Sequence, residues 1–237
     1  MILALVQARM SSTRLPGKVV APILGEPMIV RQLERVRRAR TLSKILVATS
    51  TDPSDEPLAS LLVAKGHGVF RGALNDVLGR FAKAAGSAGE PTHIVRMTAD
   101  CPLIDPGLID EAVRLAVASG AAYAGNTVRR TYARGLEVEV ITAEALRIAA
   151  LEATEVSERQ DVAAFIRRQP ERFAQAHMVQ PADESGLNWK VDSCAGFAMA
   201  RGVYEALYPE TPAFTLRDVR DLLASRPDIA RPLSRAA

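Results

Sequence analysis

Arg9, Arg14 and Lys18 crowd the stretch that follows an apolar run at Met1 to Val6, with Ser11, Ser12 and Thr13 among them and Leu15-Pro16-Gly17 forcing a turn. Cations and backbone N–H groups at the carboxyl end of a strand make a cradle for an anion, and a polyphosphate suits this one. A solvated basic loop is the plain alternative. Far along the chain, Asp100 follows a third apolar run, His93 to Ala99, and is braced by Pro102. A projecting carboxylate there suits Mg²⁺, which takes hard oxygen ligands and is commonly held by one or two carboxylates plus substrate phosphates. Ordinary turn chemistry is the competing reading of Asp100. Glu137 and Glu139 alternate with Leu136, Val138 and Val140, so both acids share one face of a strand over Gly135 to Ile141. Their default reading is a solvated edge.

The elements that must position these groups follow from periodicity. Met1 to Val6 reads as a buried strand, too short for a membrane span. Gly25-Glu26-Pro27 opens a helix over Met28 to Arg40 whose apolar residues 29, 33 and 36 share a face. Arg35, Arg37, Arg38 and Arg40 near its end read as a solvated cluster that complements the helix dipole. Ile45 to Ala48 is a second strand, followed by a helix capped by Asp55 that packs Leu58, Leu61 and Leu62 and stops at Gly66. Asn75 or Asp76 caps the next helix. Asp105 caps a helix that runs to Gly120, Thr142 starts another, and Ser157 to Gln160 forms an S-x-x-Q capping box. Asn188 to Val191 reads as a short strand that ends in Asp192, with Ser193 capping the next helix, and Thr215 with Asp218 opens the last one. Strands alternating with helices predict an α/β fold: one domain over 1–237 with a mainly parallel sheet flanked by helices and a small β element carrying Glu137 and Glu139.

Composition excludes several classes of function. Of 237 residues, 48% are apolar, enough for a substantial core. A formal charge of +3 with 5% aromatics and dispersed basic residues does not suit a nucleic-acid reader. Cys101 and Cys194 cannot form a disulfide framework, and no Cys/His pair has zinc spacing, so both read as packing residues. The first residues lack a signal peptide's basic region, and no run of 18 apolar residues occurs, so a cytoplasmic protein without membrane contact is expected. G-x-x-x-x-G-K-[ST] and G-x-G-x-x-G are both absent.

The run Ala8 to Lys18, A-R-M-S-S-T-R-L-P-G-K, resembles the nucleotide-binding loop of the sugar cytidylyltransferases, the enzymes that activate acid sugars with CMP, and above all their spore coat polysaccharide biosynthesis protein F type. The segment from Arg96 to Pro106, R-M-T-A-D-C-P-L-I-D-P, the segment from Val69 to Leu78, and Trp189 to Asp192 resemble further motifs of that family. The resemblance implies a Rossmann-like fold of the nucleotide-diphospho-sugar transferase type. Ala8, Arg9, Ser11, Arg14, Lys18 and Thr98 would then hold CTP, and Arg71 and Gly72 would contact its base or ribose. Arg9, Lys18 and Asp100 would be catalytic, Asp100 and Asp192 would bind Mg²⁺, and Glu137, Glu139 and Arg159 would meet the acceptor, an acidic sugar. A homodimer is the family's habit. Two stretches depart from the family pattern. Gln160 to Ala164 reads Q-D-V-A-A where the family has histidine and Thr-Pro, and Ser193 to Phe197 reads S-C-A-G-F where it has Thr-Pro-x-Asp-Leu. A changed acceptor or lost activity would explain them. A metal-dependent glycosyltransferase is the rival reading, although Asp100 is followed by Cys-Pro rather than completing D-x-D.

Overall fold

The computed structural model describes residues 1–12 and 14–230; Thr13 of the cationic loop and positions 231–237 of the expected domain lie outside them. The first half runs β1 (Ile2–Gln7), a hairpin of β2 (Pro22–Ile23) and β3 (Glu26–Pro27), α1 (Met28–Val36), β4 (Lys44–Ser50), α2 (Glu56–Ala64), β5 (Gly68–Gly72), α3 (Val77–Ser87) and β6 (His93–Thr98). The second half runs α4 (Pro106–Ser119), β7 (Tyr123–Gly125), β8 (Glu139–Thr142), α5 (Ala143–Glu152), α6 (Val156–Gln160), α7 (Ala164–Arg167) and β9 (Gln175–His177). It closes with α8 (Cys194–Leu207), α9 (Leu216–Ser225) and α10 (Pro227–Ala230).

Seven strands form one sheet in the order β5-β4-β1-β6-β8-β7-β9, in which β8 alone runs against the others. From β1 the chain builds outward to β4 and β5, then crosses back to lay β6 on the other flank of β1. The strand order therefore reverses between β1 and β6, and open α/β sheets bind ligands in the crevice at such a switch point. Alternation along β1 sends Ala4 and Val6 to one face and Leu3 and Leu5 to the other, where two separate apolar clusters cover the sheet. The mainly parallel α/β architecture and the caps at Asp76, Asp105, Thr142, Ser193 and Thr215 match the sequence expectation.

Other expectations are corrected. The small separate β element is the β2–β3 hairpin, whereas Glu139 lies within the main sheet, where β8 is flanked by β6 and β7. Residues 135–138 precede that strand, and residues 188–191 form no strand, only a bridge between Arg134 and Asn188. The helix begun at Met28 ends at Val36, and Arg35 is buried rather than solvated. Its guanidinium donates to the carbonyls of Ile104 at 2.7 Å and Phe214 at 2.9 Å and stacks on the Phe214 ring, pinning the carboxyl-terminal part of the chain to α1. Ser157 lies inside α6, whose cap position is Glu155, so the capping box does not form. Asp55 occupies the cap position of α2, but its side chain caps nothing there.

Candidate active site

The loop after β1 closes on itself before it meets anything else. Gly17 adopts φ 71°, a left-handed turn that favours glycine, and its N–H reaches back to the Met10 carbonyl at 3.2 Å. The Met10 N–H in turn donates to the buried Asp55 carboxylate at 2.6 Å. Lys18 follows the turn and points across the switch point. Its Nζ donates to Asp100 Oδ2 at 3.2 Å and to the carbonyl of Val191 at 2.7 Å. Arg14 donates to Asp192 Oδ2 at 3.0 Å. One cationic loop thus gathers the two acids, 92 positions apart in sequence, that were expected to share a metal.

Asp100 is further held by the Thr98 hydroxyl, which donates to Oδ1 at 2.6 Å, and by Lys190, whose Nζ is 3.5 Å from the same oxygen. Burial pushes the Asp100 carboxyl up, but Lys190, Thr98 and Lys18 outweigh it and leave it below the usual carboxylate range. Asp100 is therefore an anion at neutral pH. The adjacent Cys101 is driven the opposite way, its thiol pushed well up by burial and by the neighbouring Asp100 and Glu137, which makes it a packing residue.

A cavity of about 190 Å³ opens over this loop, lined by Ala8, Arg9, Ser12, Lys18, Thr98 and Asp100, among others. Ser12, not Ser11, faces it. A second cavity, about 530 Å³, adjoins the first at Thr98 and reaches across the ends of β6 and β8. Arg96, Arg130, Arg167, Arg168 and Lys190 line it against Glu137, Glu139 and Asp161, five cations to three carboxylates. An anionic or strongly polar ligand suits such a chamber.

Both glutamates line that chamber, although Glu137 lies outside the strand expected to carry both, and Glu139 is no solvated edge. It is 1% exposed and accepts from Arg96 at 2.6 Å, Arg167 at 2.5 Å, the Tyr123 hydroxyl at 2.9 Å and the Thr127 hydroxyl at 3.0 Å. Burial alone would raise its carboxyl, yet Arg96 and Arg167 hold it down to about 2. Glu137 accepts from the Gly135 N–H at 2.8 Å and lies 3.7 Å from the Cys101 sulfur.

Three further expected site residues lie elsewhere. Arg71, at the end of β5, donates to the Ser50 carbonyl at 3.0 Å and pairs with Glu56, facing α2 instead of either cavity. Gly72 is required by close passage of a neighbour, since a Cβ there would stand 2.9 Å from Arg80 Cγ. Arg159 pairs with Asp76 at 2.6 Å and donates to the Ala150 carbonyl at 2.7 Å, tying α6 to α3 and α5. Asp55, Lys190 and Arg167 were missed. For Lys190 a signal was present, a cation one residue inside the W-x-V-D run.

Asp100 and Asp192 present hard oxygen donors, each already facing cationic nitrogens, which is the environment a divalent ion would replace. No cluster of three or more His, Cys, Asp or Glu side chains placed to hold a metal occurs among the described residues. The donor set fits Mg²⁺ held jointly by two carboxylates and the phosphates of a bound nucleotide, not by an all-protein cage.

A family model described as Cytidylyltransferase matches residues 3–191, which takes in Lys18 and Asp100 and stops one residue short of Asp192. The spore coat polysaccharide biosynthesis protein SpsF of Bacillus subtilis is 30% identical over 236 residues, 97% of this chain and 96% of that protein. A 3-deoxy-manno-octulosonate cytidylyltransferase of Geobacter sulfurreducens is 39% identical over 114 residues, 47% of this chain and 44% of that protein. A solved cytidylyltransferase from Leptospira borgpetersenii superposes with a TM-score of 0.91 at 26% identity, over 100% of this chain and 99% of that one.

Proposed function

This chain belongs to the cytidylyltransferase family, and from that premise we propose that it transfers CMP from CTP to an acidic sugar, releasing pyrophosphate, for the synthesis of a surface polysaccharide or glycoconjugate. The observation that carries this reading is the pairing of two cavities at Thr98. One is a phosphate-sized cradle at the switch point, and the other is a larger chamber with an excess of cations.

In this reading Arg9, Arg14 and Lys18 turn to the triphosphate when it arrives, and Lys18 and Arg9 stabilise the departing pyrophosphate. The acceptor hydroxyl oxygen forms a bond to the α-phosphorus as the bond from that phosphorus to the α,β-bridging oxygen breaks, and the hydroxyl proton is given up to water. Asp100 and Asp192 would hold Mg²⁺, whose chemistry when bound is to neutralise charge on the phosphoryl oxygens. Little covalent work falls to the protein. Its contribution is to fix donor and acceptor on either side of Thr98 and to meet developing charge with cations set in advance.

The test is pyrophosphate release on incubation with Mg²⁺, each of the four nucleoside triphosphates and a panel of 2-keto acid sugars. Release that needs both CTP and an acid sugar supports the proposal. Release with another triphosphate in preference to CTP, or with neutral sugars alone, overturns it.

A further inference from the structure

The five cations of the acceptor chamber are not equally committed. Arg96 gives its guanidinium to Glu139 at 2.6 Å and Gln7 at 3.2 Å, and Arg167 gives its own to Glu139 and Asp161. Arg168 pairs with Glu158 at 3.1 Å. Arg130 reaches Glu137 at 3.4 Å from a side chain that is 49% exposed, where ion pairs are weak. Lys190 differs from all four. Its side chain is 21% exposed, it carries three donors, and among the described residues its ammonium has one partner, Asp100 Oδ1 at 3.5 Å. That oxygen already accepts the Thr98 hydroxyl at 2.6 Å.

The backbone beneath Lys190 is fixed on both sides. Gly135 packs so closely that a Cβ there would stand 2.7 Å from the Trp189 carbonyl carbon and 2.8 Å from the Lys190 nitrogen. Beyond it, the Val191 N–H donates to the Asp100 carbonyl at 2.8 Å. The root is rigid, and the charged tip stands at the boundary between the Asp100 carboxylate and the chamber that Lys190 itself lines. A largely desolvated cation with unused donors at that boundary attracts an anion more strongly than an exposed arginine does.

We propose that Lys190 is the specificity-determining cation for the acceptor, its ammonium taking the carboxylate of the acidic sugar. The inference rests on the acid-sugar reading above and deepens it. With Asp100 turned to a Mg²⁺-bound nucleotide, Lys190 would lose its one partner and be free for the acceptor, so acid-sugar binding is expected to be stronger after CTP and Mg²⁺ than before.

Calorimetric titration tests this with the protein saturated by a nonhydrolysable CTP analogue and Mg²⁺. The probes are 3-deoxy-manno-octulosonate and N-acetylneuraminate, each beside its C1 amide, which keeps the hydroxyls and removes the charge. K190M is expected to weaken an acid by about ten- to a hundredfold, the range of a charge-assisted hydrogen bond, and to leave its amide within about twofold. K190R keeps most of the acid-to-amide ratio. An acid-to-amide ratio unchanged in K190M overturns the inference, as does an equal loss on both probes. If the wild-type protein releases pyrophosphate with an acid sugar but K190M keeps the ratio, this inference alone fails. If the wild-type protein binds neither acid and releases no pyrophosphate with any acid of the panel, the acid-sugar reading fails and takes the inference with it.

Discussion

The Asp55 carboxylate accepts the Met10 backbone N–H at 2.6 Å from a position with no solvent exposure, and also accepts from the N–H and hydroxyl of Ser50 at the end of β4. One buried acid therefore joins the cationic loop to the sheet. Removing it strands several buried donors at once, so Asp55→Ala should cost about 3 kcal/mol in a urea unfolding titration. The same change frees the loop that carries Arg9 and Lys18, and KM for CTP should rise about tenfold or more while KM for the acceptor moves little. A variant with wild-type stability and an unchanged KM for CTP would remove Asp55 from this role.

Glu139 sets a second prediction, in pH. Its carboxyl is held down to about 2 from an ordinary 4.5, so the folded state binds its proton less readily than the unfolded chain does. A depressed carboxyl stabilises fully above the unfolded value, and that stabilisation is lost as pH falls from 4.5 towards 2. The size is on the order of 3 kcal/mol. Glu139→Gln leaves Arg96 and Arg167 facing a neutral partner in a buried position, so it should be less stable at neutral pH and lose less on acidification. Melting temperatures of both proteins from pH 7 down to 2 check this, and parallel curves would contradict it.

What could be read from the chain and what could not separate along a physical line. Lys18, Arg14 and the Pro-Gly turn lie close in sequence, and the strand that delivers Asp100 is adjacent to it, so local spacing announces both halves of the proposed phosphate site. Caps such as Asp105 and Thr215 are local too, and they formed as expected. Arg35 was hidden because a run of cations is normally solvated, and it is buried against Ile104 and Phe214, which arrive from far along the chain. Glu139 was hidden because its partners depend on strand order: Arg96 becomes its neighbour when β6 pairs with β8 in antiparallel register. Asp55 resembled a helix cap in sequence, but the side chain that caps is Asp52, ahead of a short 3-10 turn, Pro53–Asp55, that leads into α2; it accepts from the Ser54 N–H at 2.9 Å.

Gly135 supplies a third prediction. Its φ is +100°, a conformation that β-carbon residues rarely adopt, and a Cβ would lie 2.7 Å from the Trp189 carbonyl carbon. Gly135→Ala must therefore displace the 189–192 segment from Gly135 and disturb its placement beside Asp100, with a stability cost of about 2 kcal/mol or more from strain and overlap. Because Lys190 and Asp192 ride on that segment, acceptor KM and kcat should worsen together. Gly86→Ala is the control, since nothing stands within 4 Å of a Cβ there, and it should leave both unchanged.

The metal assignment yields the fourth prediction, and it turns on charge already visible around two carboxylates. Asp100 faces Lys18 and Lys190, and Asp192 faces Arg14; the nucleotide would draw Lys18 and Arg14 off towards its phosphates, while Lys190 turns to the acceptor. With those cations engaged elsewhere, both acids need a new positive partner, which Mg²⁺ shared with the phosphates would supply. Three consequences follow from that exchange. Metal affinity should be low without nucleotide and rise when CTP is present, because the protein alone offers too few ligands. Asp100→Asn, which preserves shape and removes charge, should lower kcat by at least about a hundredfold, in line with the loss of a preorganised electrostatic contact. Asp192→Asn should weaken nucleotide-dependent metal binding as well, and Arg14, relieved of its partner, should leave CTP affinity without metal equal or higher. Electron paramagnetic resonance of Mn²⁺ as a stand-in ion, titrated with and without CTP, reads metal binding apart from turnover. Equal Mn²⁺ affinity in the wild-type protein and in both asparagine variants would overturn the assignment of these two acids.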